Sequence, residues 1–336
     1  MSDDLLSHHD AVLSDLDGVV YLGPEPIEAA VRTFAEVRRR GIAQSFVTNN
    51  AGRGAEEVAQ HLREIDVPAQ AADVATSAQA GAALLARHLP AGSPVLVVGS
   101  PALIEAATDR GLVPASLEQV LGHSGPRGVL QGFEIDLPWS RLNDATRCVQ
   151  AGAVWVATNT DSTRPTHEGV MPGTGMMVHA VAVATGQEPL VAGKPHRPLF
   201  DVALERTAPS QPIFLGDRLD TDIAGARAAG ITSVLVLSGA HGKRELATMA
   251  TDTLPDHLGA DASILLDPPA VIEVSAGRAR GDGVEVLVGE GRPRATAADP
   301  GDRLTQLELL RCLVALRRSG VEADWSDFCD QLDTLG

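Results

Sequence analysis

The sequence predicts an α/β fold: a parallel sheet flanked by helices, interrupted by a second α/β segment and followed by a small α+β extension. Three observations predict it. Short apolar runs of strand length alternate with amphipathic helical stretches from the start of the chain, as expected for strands joined by crossover helices. The alternation restarts in the middle third, with enough apolar residues to bury a core of its own, and then resumes. Beyond Asp267-Pro268-Pro269 it gives way to strand-like runs followed by helix.

Taken in order, the Ala-Val-Leu run at 11–13 reads as a short buried strand. Residues 26–40 place Ile27, Val31, Phe34 and Val37 on one helical face, and Gly41 ends that helix because glycine accepts the left-handed conformation of a helix C-terminus. A strand at 43–47 then runs into Thr48-Asn49-Asn50. The middle third predicts strands at 94–98, 129–131 and 154–157, with helices over 102–110 and 140–151. The first pattern resumes with strands at 190–192, 212–215 and 233–237 and helices over 198–206 and 223–229. In the extension, 271–275 and 284–288 read as strands separated by a Gly/Arg-rich turn at 277–283. A polar connection at 295–301 leads to an amphipathic helix over 304–318 and a further helix over 325–332. The expected domains are therefore 1–79 and 182–268 as two parts of one core, 80–181 as an inserted α/β domain, and 269–336 as the extension.

A chain of 336 residues suggests two or three domains, and an apolar share of 44% supplies their cores. Aromatic residues make up 3%, so those cores are built from Ala, Val, Leu and Ile. The net charge of -17 argues against a nucleic-acid partner, whose phosphates demand Lys and Arg. It also means that an anionic substrate needs a metal or a local cation to reverse the field. Lys194 and Lys243 are the two lysines of the chain. Cys148, Cys312 and Cys329 show no metal-ligand spacing and read as free thiols of a reducing compartment. An acidic, polar N-terminus suggests no secretory signal, and no apolar run approaches the roughly 20 residues that span a bilayer, so the expected location is cytoplasmic and away from membranes.

Chemistry concentrates at strand ends. Asp15-Leu16-Asp17-Gly18 follows the first strand, and two carboxylates two residues apart can divide attack and proton transfer between them. Thr48, Lys194 and Asp217 also stand at or just past apolar strands. Alone, each has an ordinary explanation: a turn, a helix N-cap, a surface lysine, an acidic cap. Together they would deliver carboxylates, a hydroxyl, an amide and an ammonium to the carboxyl edge of one sheet, where open α/β sheets bind ligands.

This ordered set resembles the haloacid dehalogenase-type phosphatase superfamily over residues 1–267, its motifs reading here as Asp15-x-Asp17, Thr48, Lys194 and Asp217 with Asp222. The resemblance implies a Rossmann-like core. Only 30 residues separate Asp17 from Thr48, and the long segment lies between Thr48 and Lys194. That is similar to the branch with a large α/β cap, which includes p-nitrophenyl phosphate, pyridoxal phosphate and phosphoglycolate phosphatases. Thr158-Asn159-Thr160-Asp161 and Pro172-Gly173-Thr174-Gly175 look like its cap-to-core segment.

The resemblance implies Asp15 as nucleophile and Asp17 as acid and base. Thr48, Asn49 and Lys194 would bind phosphate; Asp15, Asp17 (through its carbonyl), Asp217 and Asp222 would hold Mg²⁺. Asn159 of the cap, and Arg164, His167 and Glu168 in the polar loop between Asn159 and Pro172, are the candidates for contact with the leaving group. The substrate would be a small phosphate monoester. In the tail, Arg278-x-x-Gly281-x-Gly283 loosely matches an acyl-CoA pyrophosphate loop, but it precedes a strand, and a hairpin turn explains it better. A tail of this kind is similar to one on bacterial glycerol 3-phosphate phosphatases of the branch, which favours glycerol 3-phosphate over pyridoxal phosphate, phosphoglycolate or a nucleotide monophosphate. A catalytically silent phosphate-binding module is the competing class, and the tail itself reads as a packing or homodimer-forming appendage.

Overall fold

The computed structural model describes residues 3–166, 168–299 and 301–332. The chain forms two compact units, one comprising Ser45–Ala208 and the other the segments up to Gln44 and from Pro209 onward. The boundaries drawn from sequence at 79/80 and 181/182 fall inside the former, and the boundary at 268/269 inside the latter.

In the discontinuous unit, strands Ala11–Ser14, Pro212–Gly216, Thr232–Val236 and His257–Gly259 pair in parallel as neighbours in that order. Ala11–Ser14 is buried at every residue, which is why it reads as an uninterrupted apolar run rather than an alternating one. Helix Glu28–Arg39 buries Ala30, Thr33, Phe34 and Val37. Ile27 and Val31, expected on that face, are half-buried, because the stripe centres on the small Ala30 and not on the β-branched pair. Gly41 ends the helix at φ +70°. A two-residue hairpin of Tyr21–Leu22 with Glu25–Pro26 is too short to leave a periodic signal.

Next to that helix, Arg40 forks onto both carboxylate oxygens of Asp4 at 2.9 and 2.8 Å. These hydrogen bonds, with those to Glu36, raise the Arg40 pKa. Asp4 is 1% exposed. Arg40→Ala therefore leaves a buried carboxylate without its guanidinium, and urea unfolding is expected to show a loss of about 3 kcal/mol.

The extension is part of the same unit. Strands Glu273–Ser275, Arg278–Gly281, Val284–Gly289 and Arg292–Ala297 form an antiparallel meander. Two sequence expectations are corrected here: the turn at 277–283 contains the strand Arg278–Gly281, and the connection at 295–301 begins inside Arg292–Ala297. Both runs expose arginines and bury a single small residue, Ala279 or Pro293, so their composition imitates a loop. Glu290 and Gly291 both have positive φ (52° and 72°), the geometry that a tight hairpin turn requires. Gly281 pairs with Val284 around Asp282-Gly283, so the glycine pattern is a hairpin turn. Helices Arg303–Arg318 and Trp325–Asp330 cover this sheet and share one hydrophobic core with Leu235, Leu254 and Leu258 of the parallel sheet region. Burial pushes the Cys312 and Cys329 thiols up to about 12, so both stay protonated and unreactive at neutral pH.

In the continuous unit, a five-stranded parallel sheet runs in the order Leu190–Val191, Val154–Ala157, Gly128–Gln131, Pro94–Val98, Val113–Pro114. The expectation that 190–192 belongs with the first pattern is thus corrected: this strand is two residues long and hydrogen-bonds to Val154–Ala157 of the inserted segment. Ala43–Thr48 pairs in parallel with Val74–Thr76, after which a Thr76/Gln79 capping box opens helix Ser77–His88. The segment expected as a polar loop is a hairpin of Thr163–Thr166 with Gly169–Pro172. Among the described residues no helix is long and apolar enough to cross a membrane.

Candidate active site

Asp15 follows strand Ala11–Ser14 directly, and its amide donates to the Leu215 carbonyl at 2.8 Å. Asp217 follows Pro212–Gly216, the parallel neighbour in which Leu215 sits opposite Ser14. Two adjacent carboxyl ends therefore deliver two carboxylates side by side. Asp222 lies in the Leu219–Ile223 turn, where its Oδ2 accepts the amides of Asp217 (3.2 Å) and Arg218 (3.1 Å). One oxygen from each of Asp15, Asp217 and Asp222 lies within 4.8 Å of the others.

The backbone around this cluster is cut to fit it. A Cβ on Gly18, which has φ +80°, would stand 2.2 Å from Asp217 Oδ2, and one on Gly239 would stand equally close. The Ala240 amide donates to the same Oδ2 at 2.7 Å, and Ser238 Oγ donates to the Gly18 carbonyl at 2.6 Å. Asp17, between these glycine contacts and Asp15, is exposed. Three carboxylates this close repel one another, and two of them are buried. Arg218 registers the field: burial alone would lower its pKa, but the Asp220 hydrogen bond and the charges of Asp220, Asp217 and Asp222 raise it. An all-carboxylate donor set in a cradle that no Cβ could enter suits a small hard cation such as Mg²⁺.

The second group of residues belongs to the continuous unit and centres on Asn49. Its Oδ1 accepts the Lys194 amide at 2.7 Å, while its Nδ2 donates to the Lys194 carbonyl at 3.1 Å and to the Asp161 carboxylate at 3.2 Å. Its own carbonyl accepts from Ser77 Oγ (2.6 Å) and Asn159 Nδ2 (2.7 Å). Gly193 allows this approach, because a Cβ there would lie 2.7 Å from Asn49 Oδ1. Lys194 is 4% exposed, and its Nζ donates to the Val47 carbonyl at 3.3 Å. Thr48 closes its strand and accepts the Asn50 amide at 3.1 Å. Removing the Asn49 clamp leaves several half-buried polar groups to find new partners, so Asn49→Ala is expected to destabilise the protein by about 2 kcal/mol, read by chemical denaturation.

Sequence reasoning selected Asn49 for its backbone amide and missed its side chain, Ser77, Asp161 and the glycine contacts. The sequence marks Thr158-Asn159-Thr160-Asp161 only through its likeness to a cap-to-core segment. Asn159, expected beside the leaving group, is 3% exposed, donates to the Asn49 carbonyl and accepts the Asp161 amide at 3.1 Å. Arg164 lies over the Phe133 ring, 4.9 Å from its centroid. His167 lies outside the described residues. Glu168 and His196 are exposed.

Residues 12–113 match the haloacid dehalogenase-like hydrolase family, and residues 191–261 match the related HAD-hydrolase-like family. The chain is 39% identical over 321 residues to D-glycerol 3-phosphate phosphatase of Mycobacterium tuberculosis, covering 96% of this chain and 87% of that protein. It is 34% identical to an acid sugar phosphatase of Staphylococcus saprophyticus, over 72% of this chain and 91% of the other. Among solved structures, glycerol phosphate phosphatase from M. tuberculosis in complex with magnesium superposes with a TM-score of 0.85 at 36% identity, over 100% of both chains. The p-nitrophenyl phosphatase from Archaeoglobus fulgidus gives a TM-score of 0.69 at 26% identity, over 77% of this chain and 98% of that one. On its sequence and its fold alike, the chain belongs to the haloacid dehalogenase-like hydrolases, in the branch that carries a large α/β cap between its second and third motifs.

Proposed function

We propose that this chain hydrolyses small phosphate monoesters, glycerol 3-phosphate first among them, with Mg²⁺ as cofactor and Asp15 as nucleophile. The observation that carries the reading is the 39% identity to a D-glycerol 3-phosphate phosphatase over 96% of the chain, a span that reaches into the C-terminal extension. The p-nitrophenyl phosphatase covers only 77% of the chain, so likeness to a general phosphatase leaves part of it unmatched.

An Asp15 oxygen attacks phosphorus, and the ester oxygen departs with a proton from Asp17. Asp17, now a carboxylate, takes a proton from water as that water attacks the aspartyl phosphate, which releases inorganic phosphate and restores Asp15. Lys194, the Thr48 hydroxyl and the Asn49 amide are assigned to the phosphoryl oxygens, where fixed donors stabilise charge as it shifts. Asp15, Asp217, Asp222 and the Asp17 carbonyl would hold Mg²⁺, which when bound shields the attacking carboxylate from the phosphate's negative charge. Arg164 and His167 are assigned to the leaving group. The three buried cysteines fit a reducing, cytoplasmic setting.

Phosphate release from glycerol 3-phosphate, a panel of sugar phosphates, phosphoglycolate and pyridoxal phosphate, with Mg²⁺ or with EDTA, tests the reading. Metal-dependent turnover favouring glycerol 3-phosphate supports it. A preference for sugar phosphates would move the assignment toward the acid sugar phosphatases, and no turnover of any ester would overturn it.

A further inference from the structure

A cavity of about 310 Å³ lies inside the discontinuous unit, where the C-terminal extension packs on the edge strand His257–Gly259 of the parallel sheet. Its volume is at the lower end of the range of small-molecule pockets. One wall is a single face of helix Arg303–Arg318, to which Arg311, Val314, Ala315 and Arg318 contribute at helical spacing. No residue of this wall takes part in the reaction described above.

The lining is amphipathic. Leu5, Ile264, Ile272 and Val314 supply an apolar side. Arg311 donates through Nε to the Leu258 carbonyl at 2.9 Å and through Nη1 to Glu308 at 2.8 Å. Arg318 donates through Nη1 to the Pro255 carbonyl at 2.8 Å and pairs with Asp256 at 2.8 Å. Among the described residues neither Nη2 has an acceptor, so each guanidinium is anchored at one end with donors to spare at the other. Burial lowers the pKa of His257 although the neighbouring Asp256 charge pulls the other way, so the ring adds no charge at neutral pH. With their ion-pair partners counted, Arg227, Arg311 and Arg318 stand against Asp256 and Glu308, which leaves one net positive charge beside the cavity in a chain whose overall charge is -17. That balance matches one negative charge on an apolar body.

We propose that this cavity binds a small amphipathic carboxylate, with its head on Arg311 and Arg318 and its alkyl chain among Leu5, Ile264, Ile272 and Val314. The ligand would fasten the extension to the sheet edge, because the anchoring helix and the edge strand both line the site.

Octanoate is the probe, and octan-1-ol is the control of equal length without the charge. Titration calorimetry and thermal unfolding of the full chain are expected to show saturable octanoate binding. The melting temperature should rise by about 5 °C at roughly 100-fold excess over Kd. Arg311→Met should weaken octanoate by about tenfold or more and leave octan-1-ol unchanged. Ala315→Phe, which fills the cavity without removing a charge, should weaken both ligands by at least about tenfold while circular dichroism shows a native fold. Equal binding of octanoate and octan-1-ol, no saturable octanoate binding, or undiminished binding by Ala315→Phe would each overturn the proposal. Because binding is read without turnover, the test is independent of the proposed phosphatase activity.

Discussion

Asp15→Asn is expected to reduce phosphate release by about 10⁴-fold or more while leaving the fold intact. The substitution is nearly isosteric and keeps a carbonyl oxygen where the carboxylate stands, but a carboxamide is a far weaker nucleophile. Stability should be unchanged or higher in EDTA, since Asp15 is one of three carboxylates within 4.8 Å and neutralising it relieves like-charge repulsion. Steady-state assays and melting curves on the same preparation check both halves. A variant that kept even a tenth of the wild-type rate would place the nucleophile elsewhere.

The second large effect concerns the cation. Asp217 is 4% exposed, and its Oδ2 is held by the Ala240 amide between Gly18 and Gly239, so its position is set before any metal arrives. Mg²⁺ should therefore stabilise the wild-type protein by about 2.7 kcal/mol at 100-fold excess over Kd. Asp217→Asn keeps the hydrogen-bond acceptor but removes the charge. With Mg²⁺ affinity lowered about 100-fold, the same concentration should stabilise the variant by only ~0.4 kcal/mol. Melting curves with and without Mg²⁺ read this directly, and an undiminished shift would mean that the carboxylate cluster is not the metal site.

What could be read from sequence follows from how local each signal is. Asp15 and Asp217 were legible because each directly follows a short strand with an apolar run at its centre, and such strands announce a parallel sheet and its functional edge. The Asn49 clamp was not legible: its partners Asp161 and Lys194 lie 112 and 145 residues away, and an asparagine after a strand looks like any helix cap. The strand 190–191 was found, but its sheet was misassigned, since two residues carry no information about a hydrogen-bonding neighbour. In the extension, Arg278–Gly281 imitates a turn because its side chains alternate between arginine and small residues, and only pairing with Val284–Gly289 makes it a strand. The cavity beside it was equally invisible, since its lining is drawn from three stretches of chain, around residue 5, from 256 to 272 and from 311 to 318.

The most direct measurement is reductive trapping with borohydride during turnover of glycerol 3-phosphate in the presence of Mg²⁺, followed by peptide mass analysis. Borohydride converts an aspartyl phosphate to homoserine and leaves a free aspartate untouched. Conversion at position 15, dependent on both substrate and metal, is the expected result. Turnover with no conversion, or conversion at another aspartate, would contradict attack by Asp15.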